Sequence, residues 1–84
     1  MIEITETNRG FHIYGDDVLT SYGHEVSVYE SSSAEGPHVW LAVQRQESHG
    51  IPACAAAAHL SLEQAVAIRD RLTAFIDEVP QRWG

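Results

Sequence analysis

Ala53-Cys54-Ala55-Ala56-Ala57-Ala58-His59-Leu60-Ser61-Leu62-Glu63-Gln64-Ala65 is where an extended chain hands over to a helix, and it admits two readings. The alanine run has high helix propensity, so one long helix from Pro52 to Val79 is one of them. The other is a break at Ser61. Ser61-Leu62-Glu63-Gln64 has the form of a capping box, in which the serine hydroxyl accepts from a free helix amide and Gln64 reaches back to the cap. In the long helix Ser61 would waste that chemistry in a helix interior, so the break is favoured and residues 52–60 become the last strand candidate. Small side chains there would let a helix approach closely.

Beyond Ser61 the pattern is helical. Ala65, Ile68, Leu72, Phe75, Ile76 and Val79 recur at spacings of three and four, one apolar stripe on a helix. Glu63, Asp70, Arg71, Asp77 and Glu78 take the other side. Arg69 sits at the stripe's edge, where its stem would cover apolar surface and its head reach solvent or a sheet carboxylate. Pro80 predicts a helix over about 61–79 followed by a short tail at 80–84.

Before the alanine run the period is two. Ile2 and Ile4 alternate with Glu3 and Thr5, Phe11 and Ile13 with His12 and Tyr14, Val26 and Val28 with Glu25, Ser27 and Tyr29, and Val39, Leu41 and Val43 with Trp40, Ala42 and Gln44. Asn8-Arg9-Gly10, Gly15-Asp16-Asp17, Ser31 to Pro37 and Gln46 to Gly50 supply turn and loop chemistry between these runs. Four to five short strands over about 1–59, then one helix, predict a single α+β domain. Its antiparallel sheet is packed on one face by the C-terminal helix as a two-layer sandwich.

Composition narrows the function. The 84 residues carry twelve acids against five bases, net −7, and all the bases are arginines. Residues 1–42 hold seven acids and one arginine, net −6; residues 43–84 hold five acids and four arginines, net −1. Such a surface offers little to a phosphate backbone, so direct nucleic-acid binding is not expected. The uncharged run from Gly50 to Leu62 is too short to span a bilayer, and Met1-Ile2-Glu3 does not read as a signal-peptide start. No membrane role is expected. A lone cysteine, Cys54, excludes an internal disulfide framework and fits a cytoplasmic setting.

Catalytic patterns are weak. His12, His24, His38, His49 and His59 lie ten to fourteen residues apart, without the local pairing of a zinc site. His24 near Asp16 and Asp17 is the one pairing to watch. Cys54 has no basic neighbour in sequence to favour a thiolate. Ser31-Ser32-Ser33 lacks a nucleophile elbow, and no phosphate-cradling glycine motif is present. The chain reads as a non-enzyme with no catalytic residue, no metal and no cofactor.

The face of the sheet turned away from the helix is the better candidate. If Phe11, Ile13, Val26, Val28, Val39, Leu41 and Val43 face the helix, then His12, Tyr14, Tyr29 and Trp40 gather on the outer face. Tyrosine and tryptophan are enriched in interface hot spots. These four residues form the expected interaction surface, for another protein or for a second copy in a homodimer. An acidic inhibitor of a nucleic-acid-binding protein is a further alternative.

The strings Ser21-Tyr22-Gly23, Val26-x-Val28-x-Glu30-Ser31-Ser32-Ser33-Ala34, Val39-Trp40-Leu41 and His59-Leu60-Ser61-Leu62-Glu63-Gln64-Ala65 resemble a group of small proteins of unknown function encoded by actinobacteria and their bacteriophages. The likeness runs from Phe11 to Ile76, and residues 51–58 carry less of it. It implies a sheet with a C-terminal helix and no assigned activity, and it carries over no functional residue.

Overall fold

A computed structural model describes residues 2–33 and 35–83. It is an α+β chain with an antiparallel sheet and a single C-terminal helix. The strands are β1 (Ile4–Glu6), β2 (His12–Tyr14), β3 (Val18–Leu19), β4 (Glu25–Glu30), β5 (His38–Arg45) and β6 (Cys54–Ser61), followed by α1 (Leu62–Arg82). The sheet order is β1-β2-β4-β5-β6, with β3 also on β4.

The alanine run is extended: β6 pairs with β5 from Arg45↔Cys54 to His38↔Ser61. Ser61 closes the strand and caps the helix at once. Its hydroxyl accepts from the Gln64 amide at 3.2 Å, and the Gln64 side chain accepts from the Ser61 amide at 2.9 Å. Both halves of the capping box are therefore made. Pro80 does not end the helix, which runs on to Arg82. Proline forfeits the bond to the Ile76 carbonyl and its ring crowds that group, but the disturbance is confined to the last turn, which is closed by Trp83 donating to the Val79 carbonyl at 2.8 Å.

β3 has no counterpart among the strands read from sequence. β2 and β3 lie end to end along one edge of β4. Ile13 stands opposite Tyr29 and Val18 opposite Val26, so continuing the first register would put residue 16 where Val18 stands. Two extra residues are absorbed at Gly15-Asp16-Asp17, the unpaired excess of a bulge. Gly15 turns there with φ 79° and donates to the Glu3 carbonyl at 2.9 Å.

The β1–β2 and β3–β4 hairpins share one turn. In Thr7-Asn8-Arg9-Gly10-Phe11, Gly10 donates to the Thr7 carbonyl, Thr7 to the Phe11 carbonyl, and the Phe11 amide to Thr7 Oγ1. Thr20-Ser21-Tyr22-Gly23-His24 repeats all three bonds. Both glycines sit at φ 83°. The β5–β6 hairpin ends differently, at His49-Gly50, both at positive φ between the paired Ser48 and Ile51.

Burial is slight. Ala42, at 6% exposure, is the one buried residue among those described. α1 touches only β6 and β5, and in its first half only Ala65, Val66 and Ala67 are half-buried. The helix packs on the sheet as the sequence reading expects, through its contacts with β6 and β5, but the far part of its apolar stripe is not covered: Leu72, Phe75 and Ile76 are 58–64% exposed.

Candidate interaction surface

Partners directly across a ladder share a face, and neighbours along a strand alternate. The pairings Thr5↔Ile13, Ile13↔Tyr29, Tyr29↔Trp40 and Trp40↔His59 therefore set five side chains in one row crossing β1, β2, β4, β5 and β6. At strand spacing the row is about 19 Å long. The Trp40 and His59 rings stack with centroids 4.4 Å apart, and His38 lies 4.7 Å from His59 on its other neighbour position along β5. His59 Nε2 shares a hydrogen bond with Ser31 Oγ at 2.7 Å, and His38 Nδ1 lies 3.0 Å from the Gly36 carbonyl. The Trp40 and His59 rings of the row are thus held by their neighbours.

Beside it the next row is small. Ser27, Ala42 and Ala57 pair across β4, β5 and β6, and with Tyr29, Gln44 and Ala55 the two alanines line a shallow depression. An aromatic ridge above a small-residue shelf is a shape into which a partner's side chain can lie.

The structure splits the four residues read from sequence as one surface. Tyr29 and Trp40 lie together. His12 and Tyr14 lie on the opposite face, with Val26, Val28, Val39, Leu41 and Val43, and Ile13 takes the place expected for them. The reason is register. β2 has only three residues, all half-buried, so neither face is covered strongly enough to fix its orientation. Local bonds fix it: the Thr7 turn, and the His12 amide donating to Glu30 Oε1 at 3.0 Å. His12 Nε2 also lies 3.4 Å from Glu6 Oε1, and its ring is edge-on to Tyr14. His59 and His38 are the ring residues the sequence reading missed. His38 shares the face of Trp40 because the two alternate along β5, whereas only the β5–β6 register brings His59 to Trp40.

Other sequence candidates disperse. His24 Nδ1 lies 3.5 Å from Thr20 Oγ1, inside the turn rather than on Asp16 or Asp17. Arg69 pairs with the adjacent Asp70 at 2.9 Å, not with a sheet carboxylate. Cys54 is half-buried opposite Arg45. Among the described residues no group of three or more His, Cys, Asp or Glu could hold a metal ion, and no helix is long and apolar enough to cross a membrane.

The fold and this surface define an α+β chain with an aromatic row across an open antiparallel sheet. Compared with protein families, with curated proteins and with solved structures, the chain matches none.

Proposed function

We propose that this chain is a non-enzymatic accessory protein that docks another protein on the Tyr29–Trp40–His59 row. The observation that carries the reading is the continuous cross-strand row itself, with Trp40 stacked on His59 at 4.4 Å and Tyr29 37% exposed. Aromatic side chains held in fixed rotamers supply contact area at small entropic cost, and hot spots are built from them. The net −6 of residues 1–42 favours a partner with a basic surface, through steering and complementarity.

Binding is preferred to catalysis on chemical grounds. Ser31 and His59 are within hydrogen-bond reach, but a nucleophile–base pair also needs a group orienting the base. Among the described residues none bonds the second ring nitrogen of His59. The sequence resemblance supports a phage- or actinobacterium-encoded protein working in the bacterial cytoplasm.

The test compares Tyr29→Ala with Trp40→Ala, combined, against Tyr14→Ala on the opposite face. Proteins captured from a nuclease-treated actinobacterial lysate by the wild type should be lost with the double variant and kept with Tyr14→Ala. Truncating a central interface aromatic costs about 2 kcal/mol or more, roughly thirtyfold in affinity. A folded double variant that keeps every partner overturns the reading.

A further inference from the structure

The face opposite the aromatic row is aliphatic. Val28↔Leu41, Val26↔Val43, Leu41↔Ala58, Val43↔Ala56 and Val39↔Leu60 are its cross-strand pairs. None of these residues is buried. Its valines and leucines are half-buried, and on α1 the stripe is barer, with Leu72 58%, Phe75 61% and Ile76 64% exposed. One chain therefore carries two unpartnered apolar surfaces, one flat and one ridged.

They are kept apart by covalent geometry. Helix–strand connections in compact domains usually take about 2–6 residues, whereas here Ser61 is both the last residue of β6 and the N-cap of α1. Swinging the helix back over its own sheet would break the capping box or peel the end of β6 from β5.

The areas say how much is missing. A compact chain of 9.3 kDa should expose about 5,000 Å². This one exposes 7085 Å². Its radius of gyration is 15.1 Å, against about 12 Å for a compact chain of this length. The excess is roughly 2,000 Å² per chain, or roughly 4,000 Å² for two, within the range of obligate homodimers.

We propose that the occupant is a second copy of this chain, in a reciprocal exchange where α1 of each copy covers the aliphatic sheet face of the other. The helix is about 31 Å long at 1.5 Å per residue, enough to cross the sheet. A two-fold exchange is self-complementary and closes, so it gives a dimer and not a fibre. It uses the face opposite the aromatic row, so its failure leaves the proposed docking site untouched, and the reverse.

The experiment is sedimentation of the wild type at micromolar concentrations, with isotope-filtered NOEs on a mixture of labelled and unlabelled copies. The expected mass is twice the chain mass, and the expected intermolecular NOEs join Leu72 or Phe75 of one copy to Val28 or Leu41 methyls of the other. Leu72→Asp with Phe75→Asp should sediment at the single-chain mass and melt at lower temperature. A wild type at single-chain mass, or a dimer whose intermolecular NOEs are only helix to helix or sheet to sheet, overturns the exchange.

Discussion

Trp40 on β5 and His59 on β6 are direct cross-strand partners whose rings stack 4.4 Å apart at 26°. A stacked pair on an open sheet face acts on stability as well as recognition, because it ties the alanine-rich β6 to the rest of the sheet. Cross-strand aromatic pairs contribute roughly 0.2–1 kcal/mol beyond alanine. A double-mutant cycle of Trp40→Ala and His59→Ala in urea should return a coupling in that range. Purely additive losses would mean that the rings do not hold each other in solution.

The repeated hairpin turn gives a sharper expectation. Gly10 and Gly23 both sit at φ 83°. A Cβ at Gly10 would meet nothing within 4 Å, and one at Gly23 would lie 3.7 Å from Arg45 Nε. Space is available, so the cost of alanine is conformational, about 1–2 kcal/mol for a left-handed residue. Gly10→Ala and Gly23→Ala should each lower the urea midpoint by a similar amount. A marked difference between them would show that the two turns are not equivalent.

The capping box is the next test. Ser61→Ala removes the acceptor of the Gln64 amide and should cost about 1 kcal/mol. Gln64→Ala removes the reciprocal bond and should cost less, since the Ser61 amide can turn to water. Denaturation of both variants gives the order; the reverse order would place the main contribution on the glutamine arm.

How much of this was legible depends on how strongly each residue's environment was constrained. The period of two on β4 and β5 was clear because these strands run six and eight residues with aliphatic side chains on one face. The start of α1 was clear because Ser61 and Gln64 are a local chemical pair. β2 was not. Three residues with no buried face leave register to hydrogen bonds, and the Glu30 carboxylate that bonds His12 is eighteen residues away. Val18-Leu19 was missed for a related reason: a two-residue strand shows no period, and the bulge before it hides its continuity with β2. The His59 ring entered the site through pairing alone, while His38 follows from alternation along β5. That the helix packs on the sheet was legible from its apolar stripe, but how much of the stripe is covered was not, since a stripe states that a surface needs covering but not by which chain.

Arg45 is the remaining relationship with a measurable consequence. At the end of β5 its Nε donates to the Tyr22 carbonyl at 2.8 Å, and its Nη1 to the carbonyls of Gln46 and Ile51, each at 3.2 Å, and of Pro52 at 3.5 Å. One guanidinium thus ties the Thr20–His24 turn to the His49-Gly50 hairpin across an open cleft. Hydrogen bonds to charged groups contribute about 1.5–3 kcal/mol when shielded. These face solvent, so the net effect should be nearer 1 kcal/mol. The geometry should matter more than the charge, because lysine presents its donors from one point and cannot fork between two loops. Arg45→Ala and Arg45→Lys should both speed amide exchange at Ser48 and Ile51, whose mutual bonds close the hairpin tip, and at Gly23 in the facing turn. If Arg45→Lys protects these amides as the wild type does, a single positive charge suffices and the forked bonding is not what holds the two loops.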